Sequence, residues 1–317
     1  MRRIHSYLLL LLALPVGLSA ADLSGYKLLV TSVRTGDTEV FIADPTTGDM
    51  FNVTRSPKSE DRYPCWSPDA KEIVFMSDRN GATNLWVCNA DGSNTRRLIT
   101  TPDTTYMPSW QKTPDGERIV FGMHGKGANM ASIRPDGTGL KLLGEGHDPC
   151  ISPDGKSITY TGHPPEGGVT VYVMDWNGEN KRRVVQTTSK VGATFPYWSP
   201  DSKQIVYSFP VGEALDLFII NADGTGNRQL TDFGGTIICT PAAWSPDGRW
   251  ISFRQTDERY WSSSTPERMI KVYATKPPDK RPVWVIRPDG SEATRIEPLS
   301  YQMAIDGSRA SWKPLPR

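Results

Sequence analysis

The tetrapeptide Trp-Ser-Pro-Asp stands at 66–69, 198–201 and 244–247, and returns in altered form at Lys112-Thr113-Pro114-Asp115 and Ile151-Ser152-Pro153-Asp154. Its prolines, Pro68, Pro114, Pro153, Pro200 and Pro246, are followed by a truncated copy at Trp312-Lys313-Pro314, at a near-constant interval that lengthens only at the last step. A second mark keeps the same time. Turn glycines at Gly48, Gly92, Gly137, Gly178, Gly224 and Gly290 repeat at a matching interval, and their last step is the long one too. Two independent series that share a period, and stretch together at the end, describe one structural unit repeated along the chain.

The copy beginning at Trp66 shows the unit. The motif is followed by Glu72-Ile73-Val74-Phe75-Met76-Ser77, a polar turn at Asn80-Gly81, then Asn84-Leu85-Trp86-Val87-Cys88, Asn89-Ala90-Asp91-Gly92 and Thr95-Arg96-Arg97-Leu98-Ile99. Short β-rich runs bounded by Pro, Asp, Asn and Gly read as strands in tight antiparallel succession, and Asp-Gly is hairpin chemistry because glycine accepts a positive φ. No intervening stretch has the length and 3.6-residue period of a substantial helix. Each copy therefore supplies four strands, and four-stranded sheets repeated radially are the blades of a β-propeller. Six copies of each mark predict six blades. The ends complete each other: Lys27-Leu28-Leu29-Val30-Thr31 reads as a second strand without its first, and Arg309-Ala310-Ser311-Trp312-Lys313-Pro314 as a first strand with nothing after it. Pairing them closes the ring and removes its free edges.

The pattern Trp-Ser-Pro-Asp, Ile-Val-Tyr-Ser, Asn-Ala-Asp-Gly and Arg-x-Leu-Thr, at 198–231 and in part again from Trp244, resembles the WD-type repeats of the TolB-like propeller family. The resemblance covers nearly the whole chain from position 22 onward. It implies a six-bladed propeller of an exported bacterial protein that serves as a platform for proteins or envelope components. The family's namesake carries a separate α/β domain ahead of its propeller, for which these 317 residues leave no room.

Met1-Arg2-Arg3, the leucine run Leu8 to Leu12 and the small-residue exit Gly17-Leu18-Ser19-Ala20-Ala21 have the form of a secretory signal peptide. The apolar run is short of the roughly 20 residues that a membrane-spanning helix needs. The expected organisation is a signal peptide over 1–21 and a single all-β propeller over 22–317, periplasmic or secreted, monomeric, and without a membrane span once the leader is removed. A net charge of +1 argues against bulk nucleic-acid binding. Cys65 and Cys150 occupy equivalent places in blades 2 and 4, beyond the ~7 Å Cα reach of a disulfide, and free, mostly buried thiols are expected there and at Cys88 and Cys239.

Strand direction alternates, so the Trp-Ser-Pro-Asp turns and the Asp-Gly turns share one face. Their repetition marks that face as structural, with Asp and Pro setting turns and Trp filling the gap between sheets. The opposite face is where copies differ. Its largest departure is an insertion in blade 6, at about 255–282, which with the residue before it reads Arg254-Gln255-Thr256-Asp257-Glu258-Arg259-Tyr260-Trp261 and has room for a short helix near Pro266. Aromatics beside arginine in a long loop suit recognition. The connectors add Asp61, Arg62, Tyr106, His147, Asp148, Phe195, Asp306 and Arg309 at the mouth of the central channel. His124 and His163 map to the same face.

Nucleophile motifs and phosphate-cradling glycine loops are absent from the sequence. The reading is a non-catalytic platform for a protein or an envelope, polysaccharide or peptidoglycan-associated partner, with no cofactor. Its binding residues would be Asp61, Arg62, Tyr106, His147, Asp148, Arg254, Asp257, Glu258, Arg259, Tyr260, Trp261, Asp306 and Arg309. The alternative is a propeller lyase or hydrolase at the channel mouth, with a metal held by His124, His147 and His163 or with carboxylates such as Asp148, Asp257 and Glu258.

Overall fold

The computed structural model describes residues 23–124, 128–187, 192–212, 214–233, 237–239, 241–257, 283–299 and 311–315. They form an all-β ring of six blades, each of four antiparallel strands, with no α-helix among the described residues. Blade 2 runs through Asp61–Trp66, Glu72–Ser77, Asn84–Asn89 and Arg96–Arg97 in that spatial order. Blades 3, 4 and 5 open with inner strands Thr104–Thr113, His147–Ile151 and Thr194–Trp198. Blade 1 is closed by the two ends of the chain. Leu28 pairs with Trp312 and Leu29 with Ser311, and the Lys313 amide donates to the Lys27 carbonyl at 2.9 Å.

A strand turns successive side chains to opposite faces, and here both faces are buried against a neighbouring blade. In blade 1, Leu29 and Val40 pack on Trp66, Ile73 and Phe75 of blade 2, whereas Leu28, Val30 and Phe41 pack on Trp250, Val283 and Val285 of blade 6. The same exchange recurs at the other four junctions, so the core is a set of apolar layers between blades, with no common centre. Full burial of a side chain such as Phe75 or Phe253 contributes about 1.5–3 kcal/mol. Motif tryptophans also tie blades by hydrogen bonds. Trp198 Nε1 donates to the Cys150 carbonyl at 3.1 Å, and Trp312 Nε1 to the Ala243 carbonyl at 3.2 Å.

Blade 6 departs from the sequence expectation. Its second strand runs Ile251–Asp257, into the start of the expected insertion, because a short strand at Ile237–Cys239 pairs with it antiparallel and with blade 5 in parallel at Leu215. The segment around Cys239 is thus a bridge between two blades. The expected signal peptide, the insertion from 258 to 282 with its expected helix, and positions 300–310 lie outside the described residues. Cys65, Cys88 and Cys150 are free thiols, as expected. Among the described residues no helix is long and apolar enough to cross a membrane.

Candidate ligand-binding face

The two rims of the ring use their polar groups differently. On the Trp-Ser-Pro-Asp rim, Ser67, Ser152, Ser199 and Ser245 each donate to the aspartate two positions on, at 2.8, 2.6, 2.6 and 2.7 Å. Each hydroxyl also accepts an amide from the start of the second strand, as Gln204 N does to Ser199 Oγ at 2.8 Å. The aspartates accept a further backbone amide, from Lys71, Lys156, Lys203 and Arg249, all at 3.1 Å. Burial would raise the Asp69, Asp201 and Asp247 carboxyls, yet these hydrogen bonds, preceded at Asp247 by one from the Tyr26 hydroxyl, outweigh it and hold all three below the ordinary carboxylate value. The turns consume the groups that a ligand would need.

The opposite rim is built on a repeated backbone distortion. Tyr63, Met107, Asp148 and Phe195 have φ of 51, 48, 53 and 54°, and each precedes a proline. Left-handed backbone is rare for bulky residues, and here it recurs four times at one position of the inner strand. At each site the register jumps, between Arg62 and Cys65, Tyr106 and Ser109, His147 and Cys150, and Thr194 and Tyr197. Such bulges bend a strand and re-aim its side chains. Two of the four bulge residues, Tyr63 and Met107, bound a central cavity with Pro64, Cys65, Pro108, Ser109, Tyr197 and Ser311. Tyr197 also bounds a cavity of about 310 Å³ on the motif side, ringed by Pro68, Pro153, Pro200, Pro246 and Pro314. The X-Pro pairs stand at one fixed offset ahead of Trp66, Trp110, Ile151 and Trp198, a periodic signal that the strand-by-strand reading passed over.

Next to two of these bulges lies a cluster of four rings. Tyr106 belongs to the inner strand of blade 3, and its Oη lies 3.0 Å from His147 Nδ1, across the junction to blade 4. His124, at the end of the second strand of blade 3, stacks on Tyr106 with centroids 4.4 Å apart and planes at 9°. His147 Nε2 lies 3.1 Å from His163 Nε2, and His163 Nδ1 lies 3.3 Å from the Gly168 carbonyl. Gly122 makes room for this packing, since a Cβ there would come within 2.4 Å of the Tyr106 ring.

The Gly168 carbonyl can only accept, which decides every proton in the chain of contacts. His163 carries its hydrogen on Nδ1, leaving Nε2 to accept from His147 Nε2–H, so that His147 Nδ1 accepts from the Tyr106 hydroxyl. Burial, followed by the neighbouring imidazoles, pushes His147 down to about 4, and burial also lowers His124. Burial raises the Tyr106 hydroxyl far above its ordinary value. Burial therefore keeps His147 and His124 neutral and the Tyr106 hydroxyl protonated at physiological pH, imidazole donors and acceptors beside an aromatic platform.

The structure sorts the residues expected at the mouth. Tyr106, His124, His147 and His163 come together. Arg62 holds the equivalent position in blade 2, half-exposed and paired with Glu60 at 2.8 Å. Asp148 is buried and accepts from Thr161 Oγ1 at 3.4 Å, directed into its own blade. Asp61 and Arg254 do not face the mouth. Asp61 is fully buried and paired at 3.0 Å with Arg79, which follows the second strand of the blade and folds back over it. Arg254 is buried in the extended strand of blade 6 and donates to Thr31 Oγ1 at 3.2 Å. Asp257 ends that strand at a backbone pair with Ile237. Glu258, Arg259, Tyr260, Trp261, Asp306 and Arg309 lie outside the described residues.

Comparison with known proteins adds relatives to this geometry. The family described as TolB beta propeller domain matches residues 21–194 and 148–263, well over half of the chain. An uncharacterized protein of Agrobacterium fabrum is 26% identical over 69% of this chain and 67% of its own length. A protein TolB homolog of Chlorobaculum tepidum is 29% identical over 51% of the chain, which spans only 27% of that relative. Among solved structures, TolB from Acinetobacter baumannii superposes with a TM-score of 0.68 at 17% identity, over 93% of this chain and 68% of that one. An oligogalacturonate lyase in complex with manganese superposes with a TM-score of 0.57 at 15% identity, over 88% and 75%. At these identities the structural likeness shows the fold alone.

Proposed function

The chain belongs to the TolB β-propeller domain family, and on that premise we propose that it is an exported, non-catalytic binding platform that engages a protein or an envelope glycan through the rim opposite its Trp-Ser-Pro-Asp turns. The observation that carries this reading is the contrast between the rims. One spends its serines and aspartates on four near-identical turns. The other sets Arg62, Tyr106, His124, His147 and His163 around left-handed bulges at a channel mouth, where polar and aromatic groups vary from blade to blade. The leader-like segment 1–21 supports a partner in the periplasm or outside the cell. The segment 258–282 continues from the strand that ends at Asp257.

The test is a pull-down from envelope extract with the whole protein, and with 258–282 replaced by a short Gly-Ser turn. Loss of the captured partner in the shortened form supports recognition through this rim. An identical set of partners in both forms removes the insertion from the interface.

A further inference from the structure

We propose that His147 and His163, with His124 as third ligand, bind one divalent transition-metal ion at the junction of blades 3 and 4. Three of the four histidines of the chain come from separate segments, at 124, 147 and 163, and meet on one rim. Neutral imidazole suits zinc, copper, iron and nickel.

The geometry of the pair is specific. His147 Nε2 and His163 Nε2 stand 3.1 Å apart. Two nitrogens bound at the usual ~2.0–2.1 Å from one ion, and separated by that distance, subtend roughly 100° at the metal, between octahedral and tetrahedral values. The outer atoms of both rings are held as metal-ligating histidines are held. His163 Nδ1–H is committed to the Gly168 carbonyl, and His147 Nδ1 faces the Tyr106 hydroxyl at 3.0 Å. Without metal, one proton lies between the two Nε2 atoms. With metal, the ion takes that place and the His147 hydrogen moves to Nδ1, where Tyr106 Oη accepts it. The hydrogen only changes nitrogen on His147 while the Tyr106 hydroxyl turns its own hydrogen away, so the exchange itself gains and loses no proton.

His124 supplies the third nitrogen. Its ring centroid is 5.8 Å from that of His147, and it sits at a strand end, covered on one face by Tyr106. No three such side chains already hold ligating positions among the described residues, so His124 must leave its stack on Tyr106 and turn to the pair. Three protein nitrogens on an open rim leave further positions to solvent or to a ligand. The proposal does not depend on the partner reading above: metal binding and partner capture can fail separately.

The experiment uses the full chain without an affinity tag, titrated with Zn²⁺ by calorimetry and with Co²⁺ followed by visible absorption. One Zn²⁺ per chain is expected, with a Co²⁺ d–d band that Zn²⁺ abolishes. His147→Gln and His163→Gln should each weaken binding at least tenfold, and Tyr106→Phe about tenfold through the lost outer-shell partner. His5→Gln, the fourth histidine, should bind as the unaltered chain does. If a ligand variant is poorly folded, protection of His147 and His163 from diethyl pyrocarbonate by Zn²⁺ in the unaltered chain is the deciding measurement. Absence of saturable binding, unchanged affinity in His163→Gln, or lack of protection overturns the site. Unchanged affinity in His124→Gln overturns its three-nitrogen form.

Discussion

Tyr106 and Gly122 are cross-strand partners, and the tyrosine ring occupies the space that any side chain at 122 would need. Gly122→Ala is therefore expected to destabilise the protein by about 1–3 kcal/mol, as overpacking does. Most of that cost should vanish in a Tyr106→Ala background, a coupling that urea denaturation of the four variants would measure. The buried Asp61–Arg79 pair makes a second test at this scale. Arg79 also lies over the rings of Phe75 and Trp86, at 5.1 and 5.0 Å. Arg79→Met should cost about 3–5 kcal/mol, because it leaves a buried carboxylate without its ion-pair partner. Asp61→Asn in addition should recover part of the loss, and an effect below about 1 kcal/mol for Arg79→Met, the size of an exposed pair, would contradict the burial. These residues also show where sequence reading stops. Asp61 has the composition and place of a mouth residue, and only the fold-back of Arg79 turns it into an internal ion pair. Conversely, the convergence of His124, His147 and His163 was legible, because each could be assigned to the same rim by counting strands.

At the scale of the element, the Trp-Ser-Pro-Asp turn is a closed hydrogen-bonded unit. Ser199→Ala removes both the bond to Asp201 and the acceptor for Gln204 N, and should cost about 1–2 kcal/mol by the usual worth of such bonds. The turn also sets an acid limit. Asp69, Asp201 and Asp247 titrate below their unfolded value of about 3.9. Their stabilisation is complete above that pH and is lost as pH falls through the lower folded values. Thermal melts between pH 5 and pH 2 should therefore drop steeply, and a variant with asparagine at all three positions should drop less; equal slopes would contradict the assignment. The turns were legible from Pro, Asp and Gly alone. The left-handed bulges were not, since nothing in a Tyr-Pro or Phe-Pro pair shows φ until the neighbouring strand fixes the register. The extension of the blade 6 strand to Asp257 was hidden for a similar reason: its pairing partner is Ile237–Cys239, a segment without strand periodicity.

At the scale of the molecule, the ring is held by interfaces between blades and by one seam. Trp312 is buried in that seam against Tyr26, with ring centroids 5.1 Å apart, and donates to the Ser252 hydroxyl at 3.0 Å. Trp312→Ala should cost about 3–5 kcal/mol. Removal of 311–317 should go further, leaving the Leu28–Ser32 strand without its inner neighbour and promoting self-association, which gel filtration would detect. The number of blades, their order and this closure were all readable in the sequence, because a repeat confines the chain to few architectures. What the ring binds is not a property of the repeat, and the central claim is that binding belongs to the rim where the repeat breaks down. Site-specific photo-crosslinking in envelope extract tests it most directly, with the probe at Arg62 or at Pro165, two residues beyond His163 in the loop after the Ser157–Gly162 strand, on the mouth rim, and at Lys71 or Lys203 on the turn rim. The account predicts a discrete crosslinked partner from the mouth positions and none from the turn positions. Crosslinking from Lys71 or Lys203 that equals or exceeds that from the mouth would contradict it.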